Sequence, residues 1–166
     1  KWMKTEIDAL LGGDILSRFA ISIDWWRSVL KFAPPGAGLA GTQLPASLLM
    51  STPLLEFITP SGMTQGLFDT GAKLCYAPRS AAANRTPISR TQDFLPGFGE
   101  FNSDVYELRI EFSGHAFLAN CGILPDSVAR LLQAMAGIEW IIGTDLLRQG
   151  IIGVDLGGGR VTAEWK

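Results

Sequence analysis

The chain has 166 residues, 47% of them hydrophobic and 18% charged, the composition of a folded globular protein rather than a disordered one. Its formal net charge is -2 with no basic run or stripe, which argues against a nucleic-acid partner, and no apolar stretch approaches the ~20 residues of a membrane-spanning helix. The length suits one domain plus extra, and 19 Gly and 9 Pro spread along the chain suit an all-β protein with many turns.

The N-terminal part repeats later in the chain. Ile7-Asp8-Ala9-Leu10-Leu11-Gly12-Gly13-Asp14-Ile15-Leu16 aligns without gaps with Ile138-Glu139-Trp140-Ile141-Ile142-Gly143-Thr144-Asp145-Leu146-Leu147, an offset of 131 residues. The match runs on through Ile21/Ile152 and Ile23/Val154 to Asp24/Asp155. Residues 1–33 are therefore expected to be the C-terminal remnant of a first lobe whose body precedes Lys1. Residues 45–166 are expected to be a complete second lobe. Between them, 34–44 has linker composition, Pro to stiffen it and Gly and Ala to leave it without a packing surface. Trp25-Trp26 falls in a turn between strands and is expected to pack against the second lobe.

Within the second copy, 53–59 and 63–68 flank Pro60-Ser61-Gly62 and read as a hairpin. From 105 to 112 the residues alternate, Tyr106, Leu108, Ile110 and Phe112 on one side and Glu107, Arg109 and Glu111 on the other. Ser113-Gly114 turns this strand into 115–124. Val128, Leu131, Leu132 and Met135 have helical spacing, with Asp126 or Ser127 as N-cap and Gly137 as the stop. A helical turn over 144–149 and strands at 151–156 and 160–165, joined by Gly157-Gly158-Gly159, complete the lobe. Cys75 and Cys121 suit either a pair or two small buried residues, and with a single histidine, His115, they resemble no zinc site. His115 reads as a surface or packing residue, and Asp14 and Asp145 as helix-start or turn residues.

The sharpest motif is Leu67-Phe68-Asp69-Thr70-Gly71-Ala72, followed half a domain later by Ile141-Ile142-Gly143. In this order the two resemble the active-site loop and its supporting element in the retropepsin-like aspartic protease family. The resemblance spans nearly all of 45–166 and the 1–33 tail. It implies an all-β, retropepsin-like acid-protease barrel with one or two short helices. Gly97-Phe98-Gly99 matches more loosely the glycine-rich hairpin that covers the family's active site. Pro96 and Phe101 beside it, and Pro78 after the loop, depart from the pattern.

The resemblance implies an aspartic endopeptidase. Water attack on an amide needs one group to take a proton and another to give one. Two carboxylates held close share a single proton, because both cannot ionise side by side. Asp69 would be one catalytic member, the other coming from an upstream lobe or a homodimer partner, so the fragment alone is expected to be inactive. Thr70 would grip the opposite loop, and Gly71, Ala72, Ile141, Ile142 and Gly143 would support this one. The expected substrate is a peptide or protein, and the chemistry calls for no cofactor and no metal. Ala72 lacks the hydroxyl that many such enzymes place after the glycine, so the activity optimum is expected toward mildly acidic or neutral pH. The alternative is a non-catalytic module that keeps the fold for binding or assembly.

Overall fold

The computed structural model describes residues 11–95 and 98–166, and strands predominate within them. A one-turn helix, α1 (Gly13–Leu16), precedes strands β1 (Ala20–Asp24) and β2 (Val29–Ala33). Then come β3 (Thr42–Leu44), β4 (Ala46–Leu49), β5 (Thr52–Thr59), β6 (Gly62–Phe68) and β7 (Cys75–Ala77). A 3-10 turn at Arg79–Ala82 leads to β8 (Ser89–Leu95), β9 (Gly99–Phe112) and β10 (His115–Ile123). Helix α2 (Asp126–Ala136), β11 (Trp140–Ile142), α3 (Thr144–Leu147), β12 (Gly150–Asp155) and β13 (Arg160–Trp165) follow.

Local chemistry accounts for the turns. Ser113 and Gly114 both take positive φ, 46° and 85°, the conformation whose twist matches a two-residue hairpin between β9 and β10. At the β5–β6 turn the Thr59 hydroxyl accepts from the Ser61 amide at 3.2 Å and donates to the Gly62 carbonyl at 3.1 Å. β7 stops at Ala77, directly before Pro78, which has no amide to give a ladder.

Two sheets result. One has eight strands in the order β4-β5-β6-β11-β7-β10-β9-β8, and β5 also meets β9 at Ile58–Glu111. The other has five strands in the order β2-β1-β12-β13-β3. Leu55 and Phe57 of β5, Ile110 and Phe112 of β9, and Ile142, Leu146, Ile152 and Val161 of the closing segment meet in one core. Each such burial is worth about 1.5–3 kcal/mol against exposure, so α3, β12 and β13 are held chiefly by this packing.

Three details differ from the sequence expectation. Thr42–Leu44, inside the segment read as linker, forms β3 on the outer edge of β13, with Leu44 buried. In β9, Leu108, Ile110 and Phe112 are buried as expected, but Tyr106 is only half-buried and Val105 lies inside. The alternation changes phase there, where β9 leaves the core to pair with β8. In α2 the N-cap is Pro125, whose carbonyl accepts from the Ala129 amide at 3.0 Å, and not Asp126 or Ser127. Leu131 and Met135 are exposed, because the apolar packing of α2 against the body runs along Val128, Ala129 and Leu132.

Candidate active site

β6 carries the chain to Asp69. It runs parallel to β11, with Leu67 opposite Ile141 and Phe68 opposite Ile142. The ladder extends one bond further, from the Asp69 amide to the Ile142 carbonyl at 3.0 Å. Asp69 is thus set on a paired, buried strand end and not on a free loop. Its carboxylate accepts from the Gly71 amide at 2.8 Å, which orients one oxygen. Asp69 itself is half-buried and Thr70 is exposed. The Thr70 hydroxyl has no hydrogen-bond partner among the described residues.

Beyond Gly71 the loop turns back onto α3. The first amides of any helix lack partners within it, and here the loop supplies them. Thr144 and Asp145 donate their amides to the carbonyls of Ala72 and Lys73 at 2.8 and 2.9 Å. The Thr144 hydroxyl donates to the same Ala72 carbonyl at 3.1 Å. Gly143 makes this approach possible. A Cβ there would stand 2.0 Å from the Leu74 carbonyl oxygen and 2.8 Å from that of Ala72. Gly143 has φ of -95°, which any residue adopts, so space and not conformation demands glycine. Ile141 and Ile142 are buried, on opposite faces of β11 in the two apolar clusters. The structure therefore brings Asp69, Gly71, Ala72, Ile142 and Gly143 together as one clamped unit.

A cleft of about 430 Å³ opens beside Asp69. Leu16, Ile21, Leu30 and Phe32 line one side, Met50 and Pro53 the other, and Asp69 is the one ionisable side chain among the described lining residues. A lone carboxylate beside an apolar wall can take or give a proton, but the paired chemistry needs a second acid from elsewhere.

The β8–β9 hairpin stands next to this loop. Gly97 lies outside the described residues, whereas Phe98 is partly exposed at the tip and Gly99 opens β9 with φ of 104°. Phe101 packs against Tyr76 at 5.9 Å between ring centroids and against Phe98 at 6.5 Å. The Tyr76 hydroxyl donates to the Asp93 carboxylate of β8. Burial and that carboxylate push the Tyr76 hydroxyl well above its ordinary range. Sequence reasoning missed Asp93 and Thr144. Nothing local ties Asp93 to Tyr76, but Thr144 carried a signal as a hydroxyl residue opening a helical turn after Gly143.

The side chains of the remaining candidates fall outside the site. Asp14 and Asp145 stand in the first turns of α1 and α3, and Asp145 accepts from the Asn120 amide group at 2.8 Å. His115 is exposed at the start of β10. Cys75 and Cys121 are opposite each other across β7 and β10, buried and unbridged. The hydrogen bond its thiol shares with Cys75, and burial, raise Cys121 above its ordinary range, which disfavours a thiolate nucleophile there. Trp25 packs on the main core, and Lys166 sits over the exposed Trp26 ring at 4.8 Å. No family model matches this chain, and no curated protein matches it either.

Proposed function

We propose that this chain is part of an aspartic endopeptidase of retropepsin-like barrel fold, with Asp69 as one of two catalytic carboxylates. The observation that carries the reading is the clamp on the Asp69 loop: the Ile142 carbonyl, the amides of Thr144 and Asp145, and the space left by Gly143. A turn aspartate of no special use would not need three backbone hydrogen bonds from its loop to a segment over 70 residues away in sequence.

The second carboxylate comes from an upstream lobe or a partner subunit and faces Asp69. The ionised member of the pair takes a proton from the water lying between them. The resulting oxygen attacks the peptide carbonyl carbon, while the protonated member gives its proton to the carbonyl oxygen. Collapse of the tetrahedral adduct breaks the C–N bond, and the nitrogen leaves with a proton. The substrate is a peptide or protein strand, and the β8–β9 hairpin covers it. No cofactor takes part in these steps.

The test is Asp69→Asn in protein that contains the paired carboxylate. Peptide cleavage should fall by at least about a thousandfold, with circular dichroism and thermal midpoint unchanged. Cleavage at the wild-type rate would place the activity elsewhere. Absence of cleavage by the wild-type paired protein would favour the binding-module alternative.

A further inference from the structure

Residues 11–33 and 142–164 build one structural unit twice. Gly12 and Gly143 precede their helices with extended backbone, ψ 170° and 179°. Ser17 and Arg148 end them with nearly equal angles. The amide bonds agree too: Leu16 to Gly12 at 3.0 Å matches Leu147 to Gly143 at 3.2 Å, and Ser17 to Gly13 matches Arg148 to Thr144, both at 2.9 Å. In the first hairpin Ala20 pairs with Ala33, and in the second Ile151 pairs with Glu164, the same positions after the shift of 131. β1 and β12 then pair antiparallel with Ser22 opposite Gly153. Those two residues are each other's equivalents, so an approximate two-fold axis passes through that pair.

Burial breaks this symmetry. Leu146 and Val161 are 0% and 1% exposed, because the body made by β5–β10 covers them. Their equivalents Ile15 and Leu30 are 44% and 54% exposed, and Phe32 is 46% exposed where Ala163 is 2%. β13 is covered on its outer edge by β3, with Val161 opposite Leu44, whereas among the described residues β2 is an edge strand. Among the described residues Gly12 has no backbone against it, while Gly143 carries the Asp69 loop.

We propose that the apolar face of the first hairpin is the docking surface for a second β body of the same topology as 45–137, located N-terminal to that hairpin in the same polypeptide. A strand of that body adds to the free edge of β2 in the register in which β3 adds to β13, so that an apolar residue lies opposite Leu30. The N-terminal placement follows from the order within the second unit, where the body precedes its own closing hairpin. A second copy of this chain does not suffice. Its body already holds α3, β12 and β13 on the matching surface, and those would have to be expelled. The inference deepens the peptidase reading by naming where the second carboxylate comes from. A loop seated on Gly12 as 72–74 is seated on Gly143 enters the cleft that Leu11, Gly13 and Asp69 share. The docking itself rests on the repeat alone.

Hydrogen exchange read by mass spectrometry, with sedimentation, tests this on residues 1–166 and on the parent polypeptide with its preceding sequence. In 1–166 the species is a monomer at micromolar concentration, and the β2 amides exchange at least about 100-fold faster than those of β13. In the parent polypeptide β2 reaches the protection of β13. There Leu30→Asp lowers protection in β2 while 144–165 keeps its own. A stable dimer of 1–166 with β2 protected would overturn the proposal in favour of a second copy, and a parent polypeptide with β2 still open would overturn it outright. Cleavage is scored separately. A protected β2 without peptidase activity retires the peptidase reading and keeps the docking, while activity with β2 open does the reverse.

Discussion

The two closing hairpins, 13–33 and 144–165, share backbone, register and turn chemistry, yet one is sealed into a core while Ile15, Leu30 and Phe32 of the other are exposed. Asp24 and Asp155 show how far the likeness goes. Each carboxylate accepts from an amide of the turn that follows it and from a nearby arginine: Trp26, Arg27 and the Arg27 guanidinium for Asp24, Gly158 and Arg160 for Asp155. Asp155 alone gains a distant donor, the Gly36 amide at 3.1 Å, which ties the segment after β2 to the second hairpin. Local sequence thus suffices to write the hairpin, and the covering body decides what each position is worth.

The largest break in this equivalence is expected at the paired glycines. Gly143→Ala drives a Cβ into the Leu74 and Ala72 carbonyls and should cost about 3 kcal/mol or more, since backbone cannot yield as a side chain can. Among the described residues Gly12→Ala meets only the Asp14 carboxylate, a flexible neighbour, and should change stability by less than about 0.5 kcal/mol. Urea melts of the two variants of 1–166 check the contrast; equal losses would mean that Gly12 is already packed.

Core truncation should separate the hairpins almost as widely. Leu146→Ala empties a fully buried site and should cost about 3 kcal/mol. Ile15→Ala at the equivalent position, 44% exposed, should cost under about 1 kcal/mol in 1–166. In a polypeptide that carries the covering body the second value should rise toward the first, which sharpens the comparison into a measure of docking.

The arginines should differ least. Arg160→Ala leaves the fully buried Asp155 carboxylate with two backbone donors only and should cost about 2 kcal/mol. Arg27→Ala removes a solvent-exposed partner and should cost about 0.5 kcal/mol. The Arg160 hydrogen bond holds the Asp155 carboxyl below its ordinary range, outweighing burial. A group depressed in the folded state stabilises the fold above its unfolded value, near 4, and that stability drains away as pH falls through the lower folded value. Wild type should therefore lose stability from about pH 4 downward, and Arg160→Ala should show a shallower acid loss from a lower starting point. Thermal melts from pH 7 to pH 2.5 read this directly.

What the sequence settled by itself was whatever depends on near neighbours along the chain. Ser113-Gly114 and Pro60-Ser61-Gly62 announced their hairpins, Gly137 stopped α2 in a left-handed conformation, and the recurring apolar-Gly-x-Asp segment announced the same turn of helix twice. The all-β character and the position of Asp69 at a strand end were readable for the same reason. Tertiary structure alone decided the rest. Tyr76 and Asp93, far apart in sequence and with no shared pattern, meet because the β8–β9 hairpin folds beside β7. The apolar packing of α2 against the body runs through Val128, Ala129 and Leu132, although helical spacing marked a wider face. Ile15 and Leu146 occupy the same local conformation and differ in burial, since a side chain's exposure is set by what long-range packing lays over it. The same holds for Gly143, whose need for hydrogen in place of a methyl arises from a loop that reaches it only in the folded chain.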